Sequence, residues 1–123
     1  LTVRWRPPAR ALYRSFVWNT ELVHDRTPAG ARWGGFTQAQ WQLTRRFHLG
    51  ARFDAAELEV GEHGLETEEP AYEAGVYLTF FPSEFSRFRL AVRRPFGPAV
   101  EGAGWGVAIQ STFAVGPHRP HVF

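Results

Sequence analysis

Arg87, Arg89 and Arg93 occupy alternate positions of one short stretch, so on a β-strand all three point to the same side. Guanidinium groups gathered on one face attract anions and retard cations, the logic by which rings of charge select ions in pores. If residues 82–84 make a tight hairpin, an even register sets Glu73 across from Arg93 and Tyr77 across from Arg89. Glu73 then partly neutralises the row and leaves Arg87 and Arg89 as the net field. Arg52 and Asp54 carry the same polar parity onto a neighbouring stretch. The same ion pairs also serve to brace a wall without touching any solute.

A second candidate is acidic. Residues 57–69 hold Glu57, Glu59, Glu62, Glu66, Glu68 and Glu69 around His63. Carboxylates beside an imidazole suit a divalent cation such as zinc, with Glu59, Glu62, His63 and Glu66 sampling it. A structural zinc site wants four fixed ligands, so the same segment also reads as a solvated acidic loop. His118 and His121 supply two ligands only, separated by Arg119 and Pro120, and read as a polar terminus. His48 with Asp54 could exchange a proton, but no nucleophile is spaced to join them. There is no G-x-S-x-G, no metalloprotease helix and no phosphate loop. The expectation is a protein without catalysis and without a resident cofactor, zinc being at most a loop-bound or transported ion.

The elements that must position these residues are strands. From Trp33 onward the odd positions read Trp33, Gly35, Thr37, Ala39, Trp41 and Leu43, against Phe36, Gln38, Gln40 and Gln42 at even ones. Such period-two alternation marks a half-buried strand. It recurs through Phe47, Leu49, Ala51 and Phe53, then Tyr72, Ala74, Val76, Leu78 and Phe80, then Phe88, Leu90 and Val92, and finally Trp105, Val107, Ile109 and Phe113. Two earlier strands fit residues 2–6 and 10–23, which makes about seven strands and no helix. Tight turns are expected at 7–8, 46–48 and 82–84, and longer links at 25–31, 57–70 and 96–104. Short and long connections then alternate, as in outer-membrane barrels.

Composition narrows the class. The chain has no cysteine, which excludes disulfides and thiolate metal sites. All fourteen basic residues are arginine and face twelve acids, too even a balance for a nucleic-acid partner. No apolar run is long enough for a membrane helix, but a transmembrane barrel hides its apolar residues in alternation. Five Trp, three Tyr and eleven Phe with twelve Gly favour an all-β chain.

Ring placement speaks to what the apolar face meets. Trp33 and Trp41, Tyr72 and Phe80, and Trp105 and Phe113 are each eight residues apart on the apolar parity. At ~3.3 Å per residue and ~40° tilt that is a rise of roughly 20 Å, near the ~25 Å apolar band between the aromatic girdles of membrane barrels. Arg14, Arg45 and Arg94 share the apolar parity but fall toward strand ends, where a lipid-facing Arg costs only ~0–1 kcal/mol. The other assignment of the same pattern is a soluble lipocalin-like barrel, apolar face inward, binding a small apolar ligand.

The stretch Tyr77-Leu78-Thr79-Phe80-Phe81-Pro82-Ser83-Glu84-Phe85-Ser86-Arg87-Phe88-Arg89-Leu90 adds a resemblance, together with the tail Gly116-Pro117-His118-Arg119-Pro120-His121-Val122-Phe123. Both resemble the C-terminal end of zinc-regulated TonB-dependent receptors, outer-membrane barrels of Gram-negative bacteria. The resemblance implies an outer-membrane location, uptake of a small solute or metal ion, and contact with lipid, the barrel-assembly machinery and an energy-coupling protein. Phe123 resembles the terminal residue that signals barrel insertion, although His121, Arg119 and Pro117 replace the apolar residues expected before it. The expected fold is therefore an antiparallel up-and-down transmembrane β-barrel over residues 1–115, with a tail at 116–123. An odd strand count, the absence of a plug segment and a chain opening on Leu1 read as the trailing part of a larger barrel.

Overall fold

The computed structural model describes residues 1–6, 14–27, 30–60 and 67–114. They form one sheet of seven antiparallel strands in chain order: β1 (Thr2–Trp5), β2 (Phe16–Thr27), β3 (Gly30–Gln42), β4 (Phe47–Val60), β5 (Thr67–Ser83), β6 (Ser86–Phe96) and β7 (Gly106–Phe113). Each strand pairs with its sequence neighbours alone, and β1 and β7 are open edges. The up-and-down order and the strand count agree with the alternation. The sheet is not closed into a barrel.

The links differ from expectation. β2 runs to Thr27 and β3 starts at Gly30, so the long link expected at 25–31 is a connection of two residues, 28–29. β4 continues to Val60 and β5 begins at Thr67, which shortens the 57–70 link to 61–66. Backbone ladders need only backbone donors and acceptors, so acid-rich strand tips keep pairing where composition suggests a loop. The turn expected at 46–48 is the four-residue link 43–46. Thr44 closes it, its hydroxyl accepting from the backbone N–H of Arg46 (3.3 Å) and Phe47 (3.1 Å). Short connections therefore occur at both ends of the sheet, and link length no longer separates them. The expected turn at 7–8 lies outside the described residues.

Between β5 and β6 the register also differs. Gly75 faces Arg93, Tyr77 faces Ala91 and Thr79 faces Arg89, two residues from the pairing expected for a turn at 82–84. The hairpin tip is Glu84 and Phe85, and the register slips between Phe80 and Ser83. An extra residue there is a β-bulge, which composition does not mark. Ser83 and Ser86 join their hydroxyls at 2.8 Å across the tip, and Ser83 Oγ also accepts from the Phe85 N–H.

Gly97, at φ +114, takes the chain out of β6. A Cβ there would stand 2.8 Å from the Pro70 carbonyl oxygen as well as being strained. The short 3₁₀ turn Pro98–Val100 follows.

Candidate functional site

The two faces of the sheet have unlike chemistry, and it is the apolar one that is open. Val76 is 55 % exposed, Leu90 46 % and Ile109 80 %. On the opposite face Tyr77 is 8 % exposed and Thr79 is fully buried. In a water-soluble sheet with one covered face the assignment is reversed.

Rings on the apolar face fall into two groups. Toward the 43–46 link, Phe47 stacks on Phe80 at 4.7 Å and Phe88 meets Phe113 edge-on at 5.8 Å. Trp41 opposes Leu49 and Phe16, and Trp5 opposes Phe16, in the same region. Toward the other end, Tyr72 stacks on Phe96 at 5.5 Å and on Phe53 at 6.0 Å. The Arg94 guanidinium lies 5.5 Å from the Trp105 ring centre in that upper group, so the one charged β6 residue of this parity sits among rings. Trp33 occupies the same end of β3, and its backbone N–H is taken by Glu57 at 3.0 Å. Of the six expected girdle residues, Trp41 and Phe113 sit at or next to strand ends, Trp33 and Phe80 lie three residues inside theirs, Trp105 directly precedes β7, and Tyr72 lies five residues inside β5. Between the groups, Ala39, Ala51, Ala74, Val76 and Val92 floor a trough of about 610 Å³.

Polar atoms within the apolar mid-band satisfy one another. Trp18 Nε1 donates to Thr37 Oγ1 at 2.7 Å, and the Thr20 and Thr37 hydroxyls are 2.9 Å apart. Sequence alternation places these residues but gives no sign of the bonds. Thr20 facing Thr37 in the β2–β3 register is the signal that carries them.

The polar face gathers the expected charged residues on β4, β5 and β6. Arg52 donates to Asp54 through Nε (2.8 and 2.9 Å) and Nη2 (2.6 Å). Its guanidinium also lies 4.0 Å from the Phe36 ring centre on β3. Arg93 and Glu73 form an ion pair at 3.5 Å, although Arg93 faces Gly75, because the long side chain reaches diagonally across the pair. Arg89 donates through Nε to Thr79 Oγ1 at 3.1 Å, and its guanidinium covers the Tyr77 ring at 4.4 Å. Arg87 donates through Nη2 to Thr112 Oγ1 at 3.2 Å on β7. Arg52, Asp54, Glu73, Arg89 and Arg93 border one hollow of about 310 Å³, while Arg87 lies one step further toward the hairpin tip.

Tyr77 is the centre of this face. Its ring lies directly over Gly50, where a Cβ would collide with the ring carbon Cζ. An aromatic folded across a cross-strand glycine covers the exposed backbone and fixes the pairing. The pairing Gly50–Tyr77 was open to sequence reasoning, since a lone glycine in a strand marks a close approach.

The acidic candidate is only partly visible. Glu62, His63 and Glu66 lie outside the described residues, as does the Glu59 side chain. Glu57 binds the Trp33 backbone and Glu68 pairs with Arg32 at 3.2 Å. Among the described residues no three His, Asp or Glu side chains are grouped to hold a metal ion. His48 and Asp54 lie apart, Asp54 engaged by Arg52 and the His48 ring packed edge-on against Phe81 at 5.0 Å. His118, His121 and Phe123 lie outside the described residues, and the last strand ends at Phe113. No family model, curated protein or solved structure matches this chain.

Proposed function

We propose that the sheet is part of the wall of a membrane-spanning β-barrel, its ringed apolar face toward lipid and its arginine-bearing face toward a wet lumen. The protein then serves passage or uptake of a small solute, without catalysis, in a bacterial outer membrane. One observation carries the reading: on the central strand β5 the apolar-face residues Val76 and Leu78 are exposed while Tyr77 and Thr79 on the polar face are packed. Exposed apolar surface on this scale is rare on soluble monomers and marks contact with lipid or a partner. The open edges β1 and β7 require further strands, because unpaired backbone groups are not tolerated in hydrocarbon. Lipid, the assembly machinery, an energy-coupling protein and zinc as cargo belong to this proposal as well.

All five tryptophans (Trp5, Trp18, Trp33, Trp41 and Trp105) are among the exposed apolar residues, and they supply the test. The chain is folded into vesicles holding lipids brominated at shallow or deep acyl positions. Quenching by both, with the shallow bromines stronger, is the expected result. A chain that stays in solution without detergent and shows no quenching overturns the proposal.

The 610 Å³ trough favours a second reading, a lipocalin-like protein whose apolar face closes around a small apolar ligand. That alternative predicts a detergent-independent monomer with tryptophans shielded from aqueous quenchers.

A further inference from the structure

The charged side chains of the polar face divide into two kinds. Arg52 is matched by Asp54, and Arg93 by Glu73. Arg87 and Arg89 are held instead by neutral hydroxyls, those of Thr112 and Thr79. Among the described residues neither has a carboxylate within ion-pairing distance. A hydroxyl fixes a guanidinium in place without cancelling its charge. Two whole positive charges therefore stand on one side of β6, two residues apart, with Cα atoms ~6.6 Å from each other.

Two more atoms mark this end of the face. Arg87 Nε and His48 Nδ1 are buried with no hydrogen-bond partner. The register sets His48, Thr79 and Arg89 in one row across β4, β5 and β6, with Arg87 two residues from Arg89 on the same side of β6. Orphaned buried polar atoms are uncommon in folded proteins, and an ion or an ordered water is a usual reason for them.

We propose that Arg87 and Arg89 form a site for a phosphate-type oxoanion, inorganic phosphate or a phosphate monoester. The charge decides the class: a phosphate dianion balances both guanidiniums, whereas chloride or a carboxylate leaves one unmatched. Arg87 leans toward β7 and Arg89 toward β5, so an anion with several acceptor oxygens is suited to bridge the two planar forks over β6, fork donors that arginine supplies and lysine does not. The site rests on the reading that this face lines a wet interior, and it names the anion such a wall takes.

The test is calorimetric titration of inorganic phosphate into the full chain folded in detergent micelles, at constant ionic strength. Saturable binding is expected, weakened at least ~10-fold in Arg87→Gln and in Arg89→Gln, since each removes charge-assisted hydrogen bonds. Arg26→Gln, the same charge change on β2, keeps wild-type affinity. Arg87→Lys and Arg89→Lys fall between, and they replace any Gln variant whose circular dichroism departs from the parent. Absence of saturable binding to the folded chain overturns the site. So does equal binding of chloride or acetate, or an equal loss in Arg26→Gln. Bromolipid quenching without phosphate binding removes the site and leaves the membrane wall standing. Phosphate binding without quenching supports the site and removes the wall.

Discussion

Strands β5 and β7 share an alternating pattern and differ in what surrounds them. On β5 the polar-side residues Tyr77 and Thr79 are buried while the alternating Val76 and Leu78 stay exposed. On β7 the side chains after Gly106 are exposed on both faces. The β5 side chains have neighbours across two strands, with Gly50 beneath Tyr77 and Arg89 above it. β7 has β6 on one side and an open edge on the other. Alternation thus sets which way a side chain points, and the number of paired neighbours sets how far it is covered. The polar side gains that cover first because its long arginines and Tyr77 reach over their neighbours, whereas Ala, Val and Leu on the other side do not.

The largest effect is expected where the two strands should agree. Val76→Arg places a guanidinium in the middle of the apolar band on β5, and Ile109→Arg does so on β7. Each costs ~2–4 kcal/mol in a bilayer if that face meets lipid. Urea unfolding of vesicle-inserted chain measures it, and near-zero cost at Val76 would contradict a lipid-facing wall. A penalty at Val76 with none at Ile109 instead separates a covered centre from an uncovered edge.

Next in size is Gly50→Val, which drives a branched side chain into the Tyr77 ring. Overpacking of this kind typically costs ~1–3 kcal/mol. Tyr77→Ala in the same chain should recover part of the loss, as read by denaturant midpoints of the double-mutant cycle. No coupling between the two positions argues that the ring does not lie on the glycine. Thr79→Val follows, stranding Arg89 Nε, with an expected cost of ~1–2 kcal/mol. Thr112→Val, the corresponding loss at the β7 edge, should cost less because solvent can replace the hydroxyl. Equal losses at the two threonines would show that β7 is as covered as β5.

The smallest effect belongs to the apolar mid-band. Thr37→Ala removes the acceptor of Trp18 Nε1 and should cost ~0.5–1.5 kcal/mol. Its clearest readout is a change in Trp18 emission.

Strand count, up-and-down order and the sharing of one face by Arg52, Asp54, Glu73, Arg87, Arg89 and Arg93 were legible in the period-two pattern. That pattern reports a side chain's direction, which alternation determines completely. Register and strand ends were less legible, for separate physical reasons. The two-residue β5–β6 offset comes from a hairpin tip at Glu84 and Phe85 rather than 82–84, corrected by one at a bulge between Phe80 and Ser83 that leaves no compositional trace. The tips of β4 and β5 carry Glu57, Glu68 and Glu69, polar enough to resemble loop, yet their backbones still pair. The Glu73–Arg93 ion pair was anticipated for a directly opposed couple and survives as a diagonal one. Tyr77 on Gly50 and Phe36 under Arg52 escaped the alternation argument because both depend on which residues of adjacent strands stand side by side.

The extra length of β4 and β5 carries a last consequence. Their pairing continues from Tyr72 up to Thr67, ~13 Å of additional height above the upper rings. Glu69 lies on this raised rim, the Asp54 and Glu73 carboxylates lie below it, and the unmatched guanidiniums of Arg87 and Arg89 come near the opposite end. With Asp54 and Glu73 matched by Arg52 and Arg93, the net charge on that side shifts from the Glu69 rim toward positive at Arg87 and Arg89. If the face lines a lumen as proposed, an anion gains favour as it descends and a bare cation loses it.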